Sequence, residues 1–151
     1  MNAPTTPIDY RDAMTLSEEA CANVLCKELG FTLGKDAHIG WNPGKPDCLV
    51  FTLTELRNGD MAHDDEVRDY HFSAQCAIWR RERALVQRHV MESLRLAPRA
   101  KELFRDTNVF LFRIATNGVS RITVEDMEVK DGEKIPCNMV TLTFDIGFRA
   151  V

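Results

Sequence analysis

Val140-Thr141-Leu142-Thr143-Phe144-Asp145-Ile146-Gly147-Phe148-Arg149 alternates apolar and polar positions without a break. A period of two puts Val140, Leu142, Phe144, Ile146 and Phe148 on one face of a strand and Thr141, Thr143, Asp145, Gly147 and Arg149 on the other. Such a strand is buried on one side only. Strands of an all-parallel sheet are covered on both faces and read as continuous apolar runs, so the pattern predicts a mainly antiparallel sheet with one wet face. Upstream, Tyr70, Phe72, Ala74, Cys76 and Ile78 alternate with His71, Ser73, Gln75, Ala77 and Trp79 in the same way. Asp47 to Leu56, Val109 to Ala115 and Val119 to Val129 complete about five strands.

Two helices fit between these strands. Thr15-Leu-Ser-Glu18 has the spacing of a capping box, in which Thr15 would take a backbone N–H and Glu18 would reach back to the cap. Leu16, Ala20, Val24, Leu25 and Leu29 follow at helical spacing, and Gly30 is a stop signal. Arg80-Arg-Glu-Arg83 opens the second helix, which runs to about Leu96 with Leu85, Val86, His89, Val90 and Leu94 on one side. Asn58-Gly59, Asn117-Gly118 and Asp131-Gly132 read as turns, Asn117-Gly118 as the strongest hairpin signal. The order α-β-β-α-β-β-β leaves too few helices to cover both faces. The expected fold is α+β, with a mainly antiparallel sheet and two helices on one face. Residues 1–14 read as an extended arm and 15–151 as one domain.

The chain has 151 residues and carries a formal net charge of −4. That length supports one core without staples, and the negative charge argues against a specific nucleic-acid binder. No apolar run reaches the ~18–20 residues of a membrane span. Five cysteines, an odd number without paired metal-type spacing, read as reduced and structural. No nucleophile elbow, phosphate loop or dinucleotide fingerprint occurs. A dyad of Cys76 and His89 is disfavoured because both fall on apolar faces. His63, Asp64, Asp65 and Glu66, with Asp69 and His71, combine carboxylates suited to a hard cation with imidazoles suited to zinc. Their spacing matches no EF-hand or zincin helix and reads as a solvated acidic loop over Gly59 to Asp69. No catalytic residue, metal ligand or cofactor is assigned.

Charge is divided along the chain. Residues 1–75 hold 6 basic and 13 acidic side chains, whereas residues 76–105 hold 8 basic and 3 acidic. Asp60, Asp64, Asp65, Glu66 and Asp69 on one side, and Arg80, Arg81, Arg83 and Arg88 on the other, are candidate interface residues. Opposed patches on one subunit suit a head-to-tail contact that closes into a ring when the rotation allows.

The layout resembles the tail terminator and tail completion proteins of long-tailed bacteriophages and prophage-like particles. The features behind this are the helix Thr15 to Leu29, the proline turn entering Gly44-Lys-Pro-Asp-Cys-Leu-Val-Phe51, the polar loop, and the passage from Tyr70–Trp79 into Arg80–Leu94. The closing strand Val140–Ala150 also fits. The resemblance implies a structural virion protein, not an enzyme. Made in the host cytoplasm, it would form a hexameric ring that caps the head-proximal end of the tail tube, ends tube polymerisation and joins the tail to the head. Its implied partners are copies of itself, the tail tube protein and a head–tail connector or stopper protein. Another neck component, such as a head-closure or connector protein, is the alternative. A small metal-dependent enzyme using His63, Asp64, Asp65, Glu66 and His71 is a further one.

Overall fold

The computed structural model describes residues 9–61, 68–105, 107, 109–114 and 121–150. The alternating C-terminal stretch extends in both directions into a strand of 17 residues, β6 (Lys134–Ala150). β3 (Arg68–Arg80) pairs antiparallel along one edge of β6, with Cys76 opposite Leu142 and Ala74 opposite Phe144. β2 (Cys48–Met61) pairs antiparallel with β3, placing Phe51 opposite Cys76. A short β1 (Ala37–Ile39) adds parallel to β2. The far edge of β6 takes both β4 (Val109–Ile114) and β5 (Thr123–Glu128). The sheet is thus five positions wide, in the order β1-β2-β3-β6-β4, with β5 sharing the last position. Among the described residues three α-helices accompany it: α1 (Ala13–Leu29), α2 (Arg83–Ser93) and the single turn α3 (Ala100–Leu103).

The α+β class stands, with three corrections to the expected order. The sheet is mixed, because β1 runs parallel to β2; three residues between Gly34 and Gly40 are too short to show a period. Asn58-Gly59 does not turn. It lies inside β2, opposite His71 and Tyr70, past two irregularities in the ladder that absorb an extra residue each. Among the described residues, the strands expected on either side of Asn117-Gly118 do not pair with each other. The dipeptide itself lies outside the described residues, while β4 and β5 lie end to end on the same edge of β6. The Asp131-Gly132 turn does form. Both residues have positive φ, 74° and 75°, which an Asp-Gly pair tolerates, and β5 and β6 become the hairpin.

The register puts Leu49, Phe51, Cys76, Ile78, Val140, Leu142, Phe144 and Ile146 on one face of the sheet. All are buried against Cys21, Ala22, Leu25 and Leu29 of α1 and Val86 of α2. A smaller cluster, Ala13, Phe72, Phe148 and Ala150, continues that face toward the β2–β3 hairpin end. The rings of Phe72 and Tyr70 stack on Phe148 at 4.6 and 5.2 Å. On the opposite face Gln75 is exposed, and Thr52, Ser73, Thr141, Thr143 and Asp145 are half-buried.

α1 begins at Ala13, taking two residues from the expected arm, and no side chain caps it at Asp12. The capping box does not form. Thr15 falls inside the helix, and the Glu18 carboxylate instead accepts the backbone N–H of Leu53 at 2.9 Å. Leu53 sits at the first ladder irregularity of β2, beyond the reach of β1, where a strand edge would otherwise present its N–H to solvent. Gly30 ends the helix as expected, with φ 79° and its N–H on the Cys26 carbonyl. Glu18→Ala is expected to cost about 1–2 kcal/mol in urea unfolding, the range of a charge-assisted bond to a backbone donor. Glu18→Gln, which keeps an acceptor, should lose less. Equal stability of all three proteins would show that the bond contributes nothing.

Candidate functional site

The basic segment divides into residues that hold the fold and residues that face outward. Arg80 closes β3 and turns inward. Its guanidinium lies 4.4 Å from the centre of the Phe31 ring and donates to Nε2 of His89 at 3.2–3.3 Å. His89 is buried and packs against Phe31 with ring centres 5.1 Å apart. Guanidinium can only donate, so Nε2 must offer its lone pair and the ring proton resides on Nδ1, facing Glu92 Oε1 at 3.1 Å. Burial lowers the His89 pKa first and the charges of Arg80 and Arg88 add to it, while Glu92 opposes them. The neutral ring joins the segment after α1, the end of β3 and the middle of α2.

Arg81 is likewise used internally, pairing with Asp47 at 2.8 Å just before β2. Arg99 reaches Glu28 of α1 at 3.0 Å. Arg83 and Arg88 are exposed on α2, as is Arg95 just beyond it, and unlike the similarly exposed Arg81 and Arg99 none of the three forms an ion pair among the described residues. The helix ends at Ser93, earlier than Leu96, and this shifts the apolar pattern. Val86 and His89 are buried as expected, but Leu94 leaves the helical register in a turn and is 59% exposed. Met91, which the apolar pattern passed over, is 64% exposed. α2 and the turn after it thus expose two apolar side chains, Met91 and Leu94, close in the chain to Arg88 and Arg95.

Of the acidic candidates, Asp64, Asp65 and Glu66 lie outside the described residues, as does His63. Asp60 and Asp69 belong to strands, not to a loop: Gly59 to Met61 continue β2, and β3 begins at Arg68. The register sets Asp60 directly opposite Asp69, and Asp69 opposite Arg149 of β6. His71 stands in the same strand as Asp69, opposite Gly147.

All five cysteines are free and buried. Burial pushes the thiols of Cys26 and Cys48 up to about 11, and those of Cys21 and Cys76 still further. Such thiols are poor nucleophiles at neutral pH, and the nitrogens of His89 face Arg80 and Glu92. Cys137 approaches the carbonyl of Pro46 at 3.5 Å, and Asn42 approaches Met127 at 3.6 Å. The proline turn 42–47 therefore packs beside the β5–β6 hairpin. Gly44 is needed there: its φ is 90°, and a Cβ would meet the Glu128 carbonyl at 3.4 Å.

No helix among the described residues is long and apolar enough to cross a membrane. Comparison of the chain with protein-family models and with curated protein sequences gave no match.

Proposed function

We propose that this chain is a ring-forming structural subunit of the tail-terminator kind. It would cap the head-proximal end of a phage tail tube, stop its growth and join it to the head connector. One observation bears on the reading: both long helices pack on one face of the sheet, while the other face carries Thr52, Ser73, Gln75, Thr141, Thr143 and Asp145 along its middle, beside Cys48, Val50 and Trp79 toward β1. A sheet face with a polar middle suits stacking against repeated copies of other subunits through water-bridged and hydrogen-bonded contacts. The proposed partners are further copies of the chain in a hexamer, the tail tube protein and a connector or stopper protein, and the proposed location is the neck of the virion.

The test is to add the purified chain to polymerising tail tube protein and to measure tube lengths in negative stain, with native mass recorded on the same samples. Shorter tubes bearing a ring at one end, and a six-subunit mass, are expected. Tubes of unchanged length, with no ring on them at any concentration, would overturn the reading.

A further inference from the structure

We infer that Trp41 of one copy of this chain seats in the pocket between α3 and β4 of the next copy. Trp41 is 69% exposed, more than any other large apolar side chain among the described residues. It stands on a braced turn. Before it, the Gly40 N–H donates to the Phe51 carbonyl at 3.0 Å. After it, Asn42 Oδ1 accepts the N–H groups of Gly44 and Lys45 at 2.9 and 2.8 Å, and Asn42 Nδ2 donates to the Lys45 carbonyl at 3.1 Å. Pro43 and Pro46 restrict the same turn further. A large aromatic side chain on a backbone already fixed gives up little freedom on binding, and tryptophan is enriched among the residues that dominate interface energy.

The pocket is open and holds about 820 Å³. Ala97, Ala100, Phe104 and Val109 line it, and Phe104 and Val109 are themselves buried, so its floor is apolar. Its size is that of a ligand-binding cleft, with room for an indole and the residues flanking it. Lys101 and Arg105 line it as well; both are exposed and neither forms an ion pair among the described residues. Their charges suit the electron-rich face of an indole, the aromatic ring that best attracts a cation. Arg99 is engaged by Glu28 at 3.0 Å, and Glu102 on the same wall offsets part of the remaining charge. The lining therefore selects an aromatic body and not a bare anion.

A second copy is the occupant because of where the two parts lie. Trp41 follows β1 by two residues, and Val109 opens β4. β1 and β4 are the two outer positions of the sheet, with three strands between them, or about 19 Å at the usual strand spacing. With the projecting side chain at one edge and the pocket at the other, every copy in a row uses both. Lys45, on the turn that carries Trp41, has its ammonium on the Lys35 carbonyl. The two parts differ, so the contact is heterologous, and repeating it yields a ring or an open chain. Only its closure into a ring rests on the function proposed above.

Sedimentation velocity and native mass spectrometry of the full chain over a concentration series test the contact, using W41A and K101E/R105E, each checked by circular dichroism. Wild type should associate, and each variant about tenfold or more weakly. As wild type associates, its indole emission should move to shorter wavelength, a shift absent from W41A. Mixing the two variants gives the sharpest result. W41A keeps its pocket and K101E/R105E keeps its indole, so one contact forms and assembly stops at a one-to-one dimer. Should the reversal variant fail to fold, K101Q/R105Q takes its place, with weaker association again expected. Three results overturn the inference: association indifferent to the substitutions, a mixture without the mixed dimer, or a wild type that stays monomeric throughout. Six-subunit rings that persist in W41A would discard this contact and leave the ring reading standing. A wild-type monomer that still caps tubes would do the same.

Discussion

Replacing Phe144 by alanine is expected to destabilise the protein by about 3–5 kcal/mol, the range for deleting a buried phenylalanine. The ring is fully buried at the centre of β6, between Ala74 of β3 and Ile114 of β4 in the register. Ala74 is small, so Phe144 fills the space across from it, and no neighbour on that strand can expand to close the cavity. A domain of this size has about 5–15 kcal/mol of stability in all, so the melting temperature should fall by on the order of 10 °C. Urea unfolding measures the loss directly, with the midpoint moving and the slope unchanged. A cost below about 1 kcal/mol would mean that this face of β6 is not in the core, and with it the register of the whole sheet would be wrong.

Arg80→Met should cost about 2–4 kcal/mol although it removes a charge from a surface-proximal strand end. The guanidinium over Phe31 contributes about 0.5–2 kcal/mol, and without it the Nε2 acceptor of buried His89 is orphaned, at about 1–3 kcal/mol. The same cluster sets a pH dependence. His89 has a folded pKa below the ordinary imidazole value, first through burial, then through Arg80 and Arg88 and against Glu92. The unfolded chain therefore binds the proton more readily. Stability is full above about pH 6.5 and is lost as the pH falls toward and through the folded pKa, by at most about 1.4 kcal/mol per pH unit for one site. His38 shifts in the same direction, through burial and Lys45 against Asp36. Urea midpoints at pH 7.5 and 5.5 should thus converge for His89→Gln relative to wild type, without becoming equal. An unchanged drop in the variant would show that His89 does not carry the acid sensitivity.

What the sequence made legible was what depends on local periodicity. The alternation of Val140 to Phe148 and of Tyr70 to Ile78 identified both central strands and their buried faces, and Gly30 and Asp131-Gly132 marked true ends. What it hid depends on partners distant in the chain. Glu18 has the spacing of a helix cap, yet its carboxylate finds a better-placed donor on Leu53, 35 residues away. Asn58-Gly59 has turn chemistry, but the ladder to β3 overrides it. β4 and β5 each read as half of a hairpin, although the long β6 offers both of them a ladder to join. The candidate site divides in the same way. The charge asymmetry was readable, but which arginines are paired within the chain was not, because only the fold brings Arg80 to His89 and Arg81 to Asp47.

The position of β6 bears on the order of events in synthesis. It follows every other described element in the chain, yet it lies between β3 and β4. Until it is made, β3 has one bare edge, and β4 and β5 have no ladder to join. The helices, the β2–β3 hairpin and most of the apolar face must wait as a collapsed but incomplete layer, with the late pairing of Arg68 to Ala150 closing a long loop. An exposed strand edge above an unfinished core is also a template for mispairing between nascent chains. Emergence of β6 therefore sets both the moment at which the sheet can close and the end of the interval of greatest risk.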